Sequence, residues 1–211
     1  MKTLVLDSGP VAPPAPPGRT HGCIAVSADG EQWVLLNASP DLGRHLQEQR
    51  ALRPSAHQPA PIKAVVLLDA DIDHVVGLLG LRLGPRIDLY ATPSVFEELT
   101  TTLPLVNVLQ SYCGVRWHML PVAGDQHSAS FQVEGLPGLR FTATAMAGDV
   151  PAYSAHAGQP AVGDHIAVRV DDLRDGQTLL CTPQPEAIAA PHPPLASQEG
   201  AAVRDGMEVG R

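Results

Sequence analysis

Three aspartates and a histidine stand within six residues of the sequence, Asp69-Ala70-Asp71-Ile72-Asp73-His74. Carboxylates about 5 Å apart repel each other by roughly 3 kcal/mol per pair at an effective dielectric near 20. Such a cluster needs protonation, a basic partner or a cation, and lysine occurs only at positions 2 and 63. The pattern favours a cation site. The simpler alternative is that one carboxylate points inward and caps a helix beginning near His74, while the others are solvated.

Three known motifs compete for this segment. An EF-hand loop has glycine and glutamate at its sixth and twelfth positions, where this chain has His74 and Gly80, so that motif is excluded. A strand ending in Asp-x-Asp resembles the haloacid dehalogenases, but that family uses a later lysine and none follows Lys63. The third motif is the His-x-His-x-Asp-His metal loop of the metallo-β-lactamase superfamily. Here Asp69 and Asp71 replace the first two histidines, while Asp73 and His74 keep their places.

The elements around the cluster predict where it lies in the fold. Residues 64–68 are continuously apolar, as in a strand buried on both faces, and residues 75–81 have a helical pattern. The cluster would therefore follow the carboxyl end of a buried strand, the usual place for ligands in α/β sheets. Further strands are predicted at 1–6, at 23–28 and 32–37 around the turn Asp29-Gly30, and at 87–91, 115–120, 139–145, 165–170 and 178–181.

These elements predict a mixed α/β sandwich in a single domain, residues 1–211. Two proline-rich segments interrupt it, at residues 10–18 and 183–198, where proline excludes helix and central strand. A helix opens at Thr92-Pro93 because threonine suits the cap and proline the first turn.

Composition excludes several classes of protein. A formal charge of −8 argues against a nucleic-acid surface, and no apolar run reaches the roughly 20 residues of a membrane span. The N-terminus lacks a signal-peptide pattern, which predicts a cytoplasmic protein. Cys23, Cys113 and Cys181 are far apart, so no structural zinc site or disulfide framework is predicted.

Several segments resemble the PqqB family of pyrroloquinoline quinone (PQQ) biosynthesis in order and spacing. They are residues 24–30, 33–41, 71–74 with Gly77-Leu78-Leu79, and Tyr90-Ala91-Thr92-Pro93. The resemblance covers roughly residues 19–182, and residues 205–209 resemble the family's C-terminal strand. It implies an αββα metallo-β-lactamase fold that is truncated in its second half. Relative to that family, a cysteine-rich zinc segment is absent before Cys23, and later strands are missing between about Pro183 and Pro191.

The resemblance also implies a site and an activity. The metal ligands would be Asp69, Asp71, Asp73 and His74, with Asp73 and His74 catalytic. Asp149 follows a strand where the superfamily often places another ligand, and His192 could be a distant one. The metal would be divalent, and the family implies iron.

Three functions remain open. The first is a metal-dependent oxidoreductase or hydroxylase acting on a tyrosine-derived precursor of the quinone. The second is a non-catalytic carrier of the quinone or its precursor. The third is a hydrolase using metal-bound hydroxide, which the two replaced histidines disfavour. Because the missing strands would normally cover one sheet, an exposed apolar face and a homodimer are predicted.

Overall fold

A six-stranded mixed sheet forms the centre of the computed structural model, which describes residues 1–6 and 23–183. The first three strands pair antiparallel, and the third to the sixth run parallel. Parallel neighbours require crossover connections, and the segments between these strands supply them. In their order across the sheet the strands are β1 (Lys2–Leu6), β2 (Cys23–Ser27), β3 (Trp33–Leu36), β4 (Ile62–Val66), β5 (Ile87–Ala91) and β6 (Val115–Met119).

Four short α-helices lie between these strands in the described part of the chain. They are α1 (Leu42–Glu48), α2 (Ile72–Val75), α3 (Pro93–Glu98) and α4 (Leu105–Gln110), and a 3-10 turn spans Arg50–Leu52. Helix α2 is a single turn that continues as a 3-10 helix, Val76–Leu81, where the sequence predicts one longer helix. Thr92 caps α3 by accepting a hydrogen bond from Val95 N, as predicted. The sequence pattern did not predict α4.

A four-stranded antiparallel sheet packs against the first. Its order is β10 (Thr178–Cys181), β9 (Ile166–Asp172), β8 (Leu139–Ala145) and β7 (Ser128–Phe131). The predicted strands match β8, β9 and β10 closely. Strand β7 was missed because its sequence, Ser-Ala-Ser-Phe, has little of the β-branched and aromatic content typical of strands.

The core has two layers, one on each face of the six-stranded sheet. One layer packs strand residues such as Leu35, Val65 and Leu89 against helix residues such as Leu42 and Leu109. The other layer lies between the sheets and packs Val34, Val66 and Leu68 against Phe141 and Val168. The helix layer and the two sheets form three of the four layers of the predicted αββα sandwich. No helix follows β6 in the described residues.

The outer face of the four-stranded sheet is polar, so the predicted exposed apolar face does not lie there. Along β8 and β9 the buried side chains alternate with exposed polar ones. Hydroxyl groups face each other across β7 and β8, with Ser130 Oγ 3.1 Å from Thr142 Oγ1. The described side chains of this face are Ser128, Ser130, Arg140, Thr142, Thr144, Ala167, Arg169, Asp171, Thr178 and Leu180. Water can solvate most of this surface, so it gives the predicted homodimer no support.

The predicted placement of the acidic segment is confirmed. Strand β4 has a neighbour on each side, its apolar run continues buried through Leu67 and Leu68, and α2 begins at Ile72. Residues 10–18 and 184–198, His192 and the predicted strand at 207–209 lie outside the described residues. Within those residues, no helix is long and apolar enough to cross a membrane.

Candidate functional site

Asp69 lies directly beyond β4 and is 2% exposed. Its Oδ1 accepts hydrogen bonds from Asp71 N at 3.0 Å and from His74 Nδ1 at 2.7 Å. Burial raises the pKa of Asp69, but hydrogen bonds from His165 and His74 outweigh it and bring that pKa to about 2. Asp69 is therefore a buried, ionised group surrounded by donors.

His165 is the residue that the sequence analysis missed. It precedes β9, and the neighbouring Ile166 N donates to Leu68 O at 2.9 Å, which joins the start of β9 to the end of β4. His165 Nδ1 consequently lies 3.7 Å from Asp69 Oδ2, and its Nε2 lies 3.1 Å from Asp149 O. Asp69 raises the pKa of His165 against the opposing effect of burial. No spacing rule indicates this contact, because it depends on how the two sheets pack.

Asp71 and Asp73 occupy the first turn of α2. Asp71 caps this helix, since its Oδ1 accepts a hydrogen bond from Asp73 N at 2.9 Å. The cap predicted as the simpler alternative is therefore present at Asp71. Burial lowers the pKa of His74, but the carboxylates of Asp69, Asp71 and Asp73 raise it by more than burial lowers it. The pKa of His74 is therefore above its ordinary value. All three carboxylates thus act electrostatically on one imidazole.

A tight turn after β3 holds His74 from the other side. Asn37 adopts a left-handed conformation with φ of 63°, which asparagine tolerates better than most residues. The Asn37 Oδ1 accepts a hydrogen bond from Leu68 N at 3.0 Å. The backbone N of Ala38, the next residue, donates a hydrogen bond to His74 O at 2.6 Å. The segment Asn37-Ala38-Ser39, which belongs to the PqqB-like pattern, therefore positions the backbone of the acidic segment.

The segment between β8 and β9 folds over the acidic segment. The Tyr153 hydroxyl donates to Ala70 O, and burial together with the charges of Asp71 and Asp69 raises the pKa of Tyr153. Buried Glu98 accepts hydrogen bonds from Ser154 Oγ at 2.6 Å and Ala155 N at 2.9 Å. These contacts attach the segment to α3 and to the site.

A surface cavity of about 650 Å³ opens beside His165. Its lining combines apolar side chains such as Met146 and Val162 with His127 and Asp149. Volumes of roughly 300–1,000 Å³ are usual for small-molecule sites. An apolar cavity of about 250 Å³ lies near Ile62 and Ile87, where β4 and β5 begin, at the opposite end of β4 from the acidic segment.

The described residues do not complete a metal site by themselves. No group of three or more His, Cys, Asp or Glu side chains in residues 1–6 and 23–183 is placed to hold a metal ion. Asp69 faces protein donors, Asp71 caps α2, and Asp149 is exposed and contacts His165 through its backbone oxygen. Asp73 and His74 are the other predicted ligands in the described residues, and the predicted ligand His192 lies outside them.

The fold and the sequence together define the class. The chain belongs to the β-lactamase superfamily, since the family model for the beta-lactamase superfamily domain matches residues 32–198. Within that class it is similar to coenzyme PQQ synthesis protein B, or PqqB. It is 43% identical to the Methylobacillus flagellatus protein over 190 residues, which is 89% of this chain and 61% of that protein. It is 44% identical to the Nitrosococcus oceani protein over 168 residues, 78% of this chain and 54% of that protein.

A solved structure supports the same relationship. The Zn²⁺-bound PqqB from Methylobacterium extorquens matches with a TM-score of 0.61 and 30% identity, over 77% of this chain and 53% of that one. The resemblance inferred from the sequence is thereby confirmed, as is the metallo-β-lactamase-like fold. The chain spans 61% or less of the length of each of these three relatives.

Proposed function

We propose that the chain acts in PQQ biosynthesis as a PqqB-like, metal-dependent oxidoreductase or hydroxylase of a tyrosine-derived precursor, working in the cytoplasm. The observation that carries this proposal is the Asp73–His74 pair, which follows the central strand of a β-lactamase superfamily fold in a chain similar to PqqB.

Asp73 and His74 are the proposed ligands of a divalent metal, and the family resemblance favours iron. Asp69 engages the Nδ1 side of His74, so Nε2 is the ring atom through which His74 would bind. A non-haem iron site commonly uses two histidines and one carboxylate. The second histidine would have to come from outside the described residues, and His192 is our candidate.

The cavity beside His165 is the proposed site for the precursor. A tyrosine-derived compound combines a planar apolar ring with charged groups. The lining combines Met146 and Val162 with Asp149 and two imidazoles, which matches both parts. His165 connects this cavity to Asp69, so a precursor bound there would lie next to the acidic segment.

A carrier of the quinone or its precursor is the second candidate. The lack of a three-ligand group in the described residues favours it, because a carrier needs the cavity but no metal.

Complementation separates these functions. The full chain would be expressed in a bacterium lacking its own PqqB, and PQQ would be measured by mass spectrometry. We expect the wild type and Glu97→Gln, which alters an exposed carboxylate on α3, to restore PQQ, and His74→Gln to fail. Full restoration by His74→Gln would favour the carrier. No restoration by the wild type would contradict the role in PQQ biosynthesis.

A further inference from the structure

We propose that Asp69 is a positioning residue and not a metal ligand. Its carboxylate holds the ring of His74 by its Nδ1 atom and faces the ring of His165, so that Nε2 of His74 is presented to whatever binds at the site. The consequence for ligand binding rests on the proposed function, because it takes His74 as the ligand. The hydrogen-bond arrangement itself stands on the geometry alone.

The first argument is how the oxygens of Asp69 are used. Oδ1 accepts from Asp71 N and His74 Nδ1, and Oδ2 faces His165 Nδ1 at 3.7 Å. The residue is 2% exposed. A cation would have to displace the two donors on Oδ1 to bind that oxygen, and each displaced buried donor would lose its partner at a cost of about 1–3 kcal/mol.

The second argument concerns the tautomer of His74. A neutral imidazole carries its proton on one nitrogen, and the other nitrogen is an acceptor. A carboxylate oxygen 2.7 Å from Nδ1 requires that nitrogen to be the donor, which leaves the lone pair on Nε2. Metal-binding histidines usually donate their second ring N–H to a carboxylate or a carbonyl in this way. Asp69 is therefore arranged as the group that orients a histidine ligand.

The third argument is that both ring nitrogens of His165 face oxygen atoms of the protein. Its Nδ1 faces Asp69 and its Nε2 lies 3.1 Å from Asp149 O. Gly148 packs flat on the ring, because a Cβ there would come within 2.9 Å of His165 Cδ2. His165 thus connects the Gly148-Asp149 turn to the end of β4 through Asp69. It positions the wall of the cavity beside it.

Nitrogen-15 NMR of the histidine rings tests this proposal on the metal-free full chain. The ring signals of His74 and His165 would be assigned by difference, using His74→Gln and His165→Gln. In the neutral form, at the alkaline end of a pH series, we expect His74 to be protonated at Nδ1 with an unprotonated Nε2. A wild-type His74 protonated at Nε2 would overturn the proposal without any variant of Asp69.

Two substitutions of Asp69 sharpen the test. In Asp69→Asn one oxygen remains to accept from Asp71 N and His74, whereas an NH₂ group faces His165. We expect His74 to keep its tautomer and neutral His165 to stay in the Nε2–H form, which its donation to Asp149 O already favours. In Asp69→Ala the ring of His74 loses its acceptor, so its preference for Nδ1–H should be lost.

Asp71→Asn is the matched control, because Asp71 caps α2 and makes no hydrogen bond to either ring. It should leave the tautomers of both neutral rings as in the wild type. A change in His74 equal to that in Asp69→Ala would contradict the assignment to Asp69. The spectra need neither metal nor substrate, so failed complementation with the expected spectra would reject the proposed function and leave the role of Asp69 intact.

Discussion

The acidic residues of the segment have different roles in the structure. Asp69 accepts a hydrogen bond from the imidazole of His74 and faces the imidazole of His165 at 3.7 Å, and Asp71 caps a helix. Together with the proposed role of Asp73 as a ligand, this resolves the repulsion expected of clustered carboxylates. Asp69 is balanced by the two histidines, and the Asp71 carboxylate is stabilised by a backbone donor.

The cap at Asp71 gives a prediction at this scale. Asp71→Ala removes the acceptor of Asp73 N and should lower the free energy of unfolding by about 1 kcal/mol, as loss of an N-cap usually does. Asp71→Asn retains an acceptor oxygen and should cost a few tenths of a kcal/mol at most. Urea denaturation of both variants checks this, and equal losses would show that the cap contributes nothing.

At the scale of elements, the turn Asn37-Ala38-Ser39 and the 3-10 helix after α2 fit together without space for a side chain. Gly77 N donates to Ala38 O at 2.9 Å, and a Cβ on Gly77 would lie 2.0 Å from Ser39 O. Backbone atoms cannot move aside as a flexible side chain does. The glycine in the Gly77-Leu78-Leu79 pattern is thus explained by close packing next to the site.

Gly77→Ala should therefore destabilise the protein by about 1–3 kcal/mol or more, the usual range for overpacking. Gly43→Ala in α1 is the matched control, since nothing lies within 4 Å of its Cβ position. There alanine should be neutral or should stabilise the helix by up to about 1 kcal/mol. Denaturation midpoints of the two variants that do not differ would refute the close-packing explanation.

The sequence was sufficient to predict elements whose signals are local. The apolar run before Asp69 indicated a buried strand, Asp29-Gly30 a hairpin, and Thr92-Pro93 a helix start, and all three are present. The site was predicted only in part. His165 joins it through the packing of β9 on β4, and such long-range contacts leave no periodicity or spacing in the sequence. The sequence also did not indicate that the outer face of the second sheet is polar.

At the scale of the whole molecule, the Asp69 cluster should affect stability in a pH-dependent way. Asp69 has a pKa of about 2 in the folded protein against an ordinary value of 3.8. A lowered carboxyl pKa stabilises the fold above the ordinary value, and this contribution of roughly 2 kcal/mol is lost as pH falls from about 4 to 2. The raised pKa values of His74 and His165 act in the opposite direction. Their contribution is complete below their ordinary value of 6.5 and falls as pH rises through their folded pKa values.

The contribution of the cluster is therefore expected to be largest between about pH 4 and 6.5. Unfolding free energies from urea titrations over a wider series, from below pH 4 to above pH 6.5, would show it as the difference between the wild type and Asp69→Asn. The difference should shrink towards both ends of the pH series. A constant difference at all pH values would mean that Asp69 does not interact with the two imidazoles.

The central claim is that Asp73 and His74 bind a divalent metal, and a thermal scan with and without iron(II) tests it most directly. Binding to the folded state alone should raise the melting temperature of the wild type by about 5–10 °C when free metal is roughly a hundred times Kd. Asp73→Asn keeps the size of the side chain but loses its charge, so most of the shift should vanish, whereas Glu97→Gln should keep it. Equal shifts in the wild type and Asp73→Asn, or no shift in either, would contradict the account.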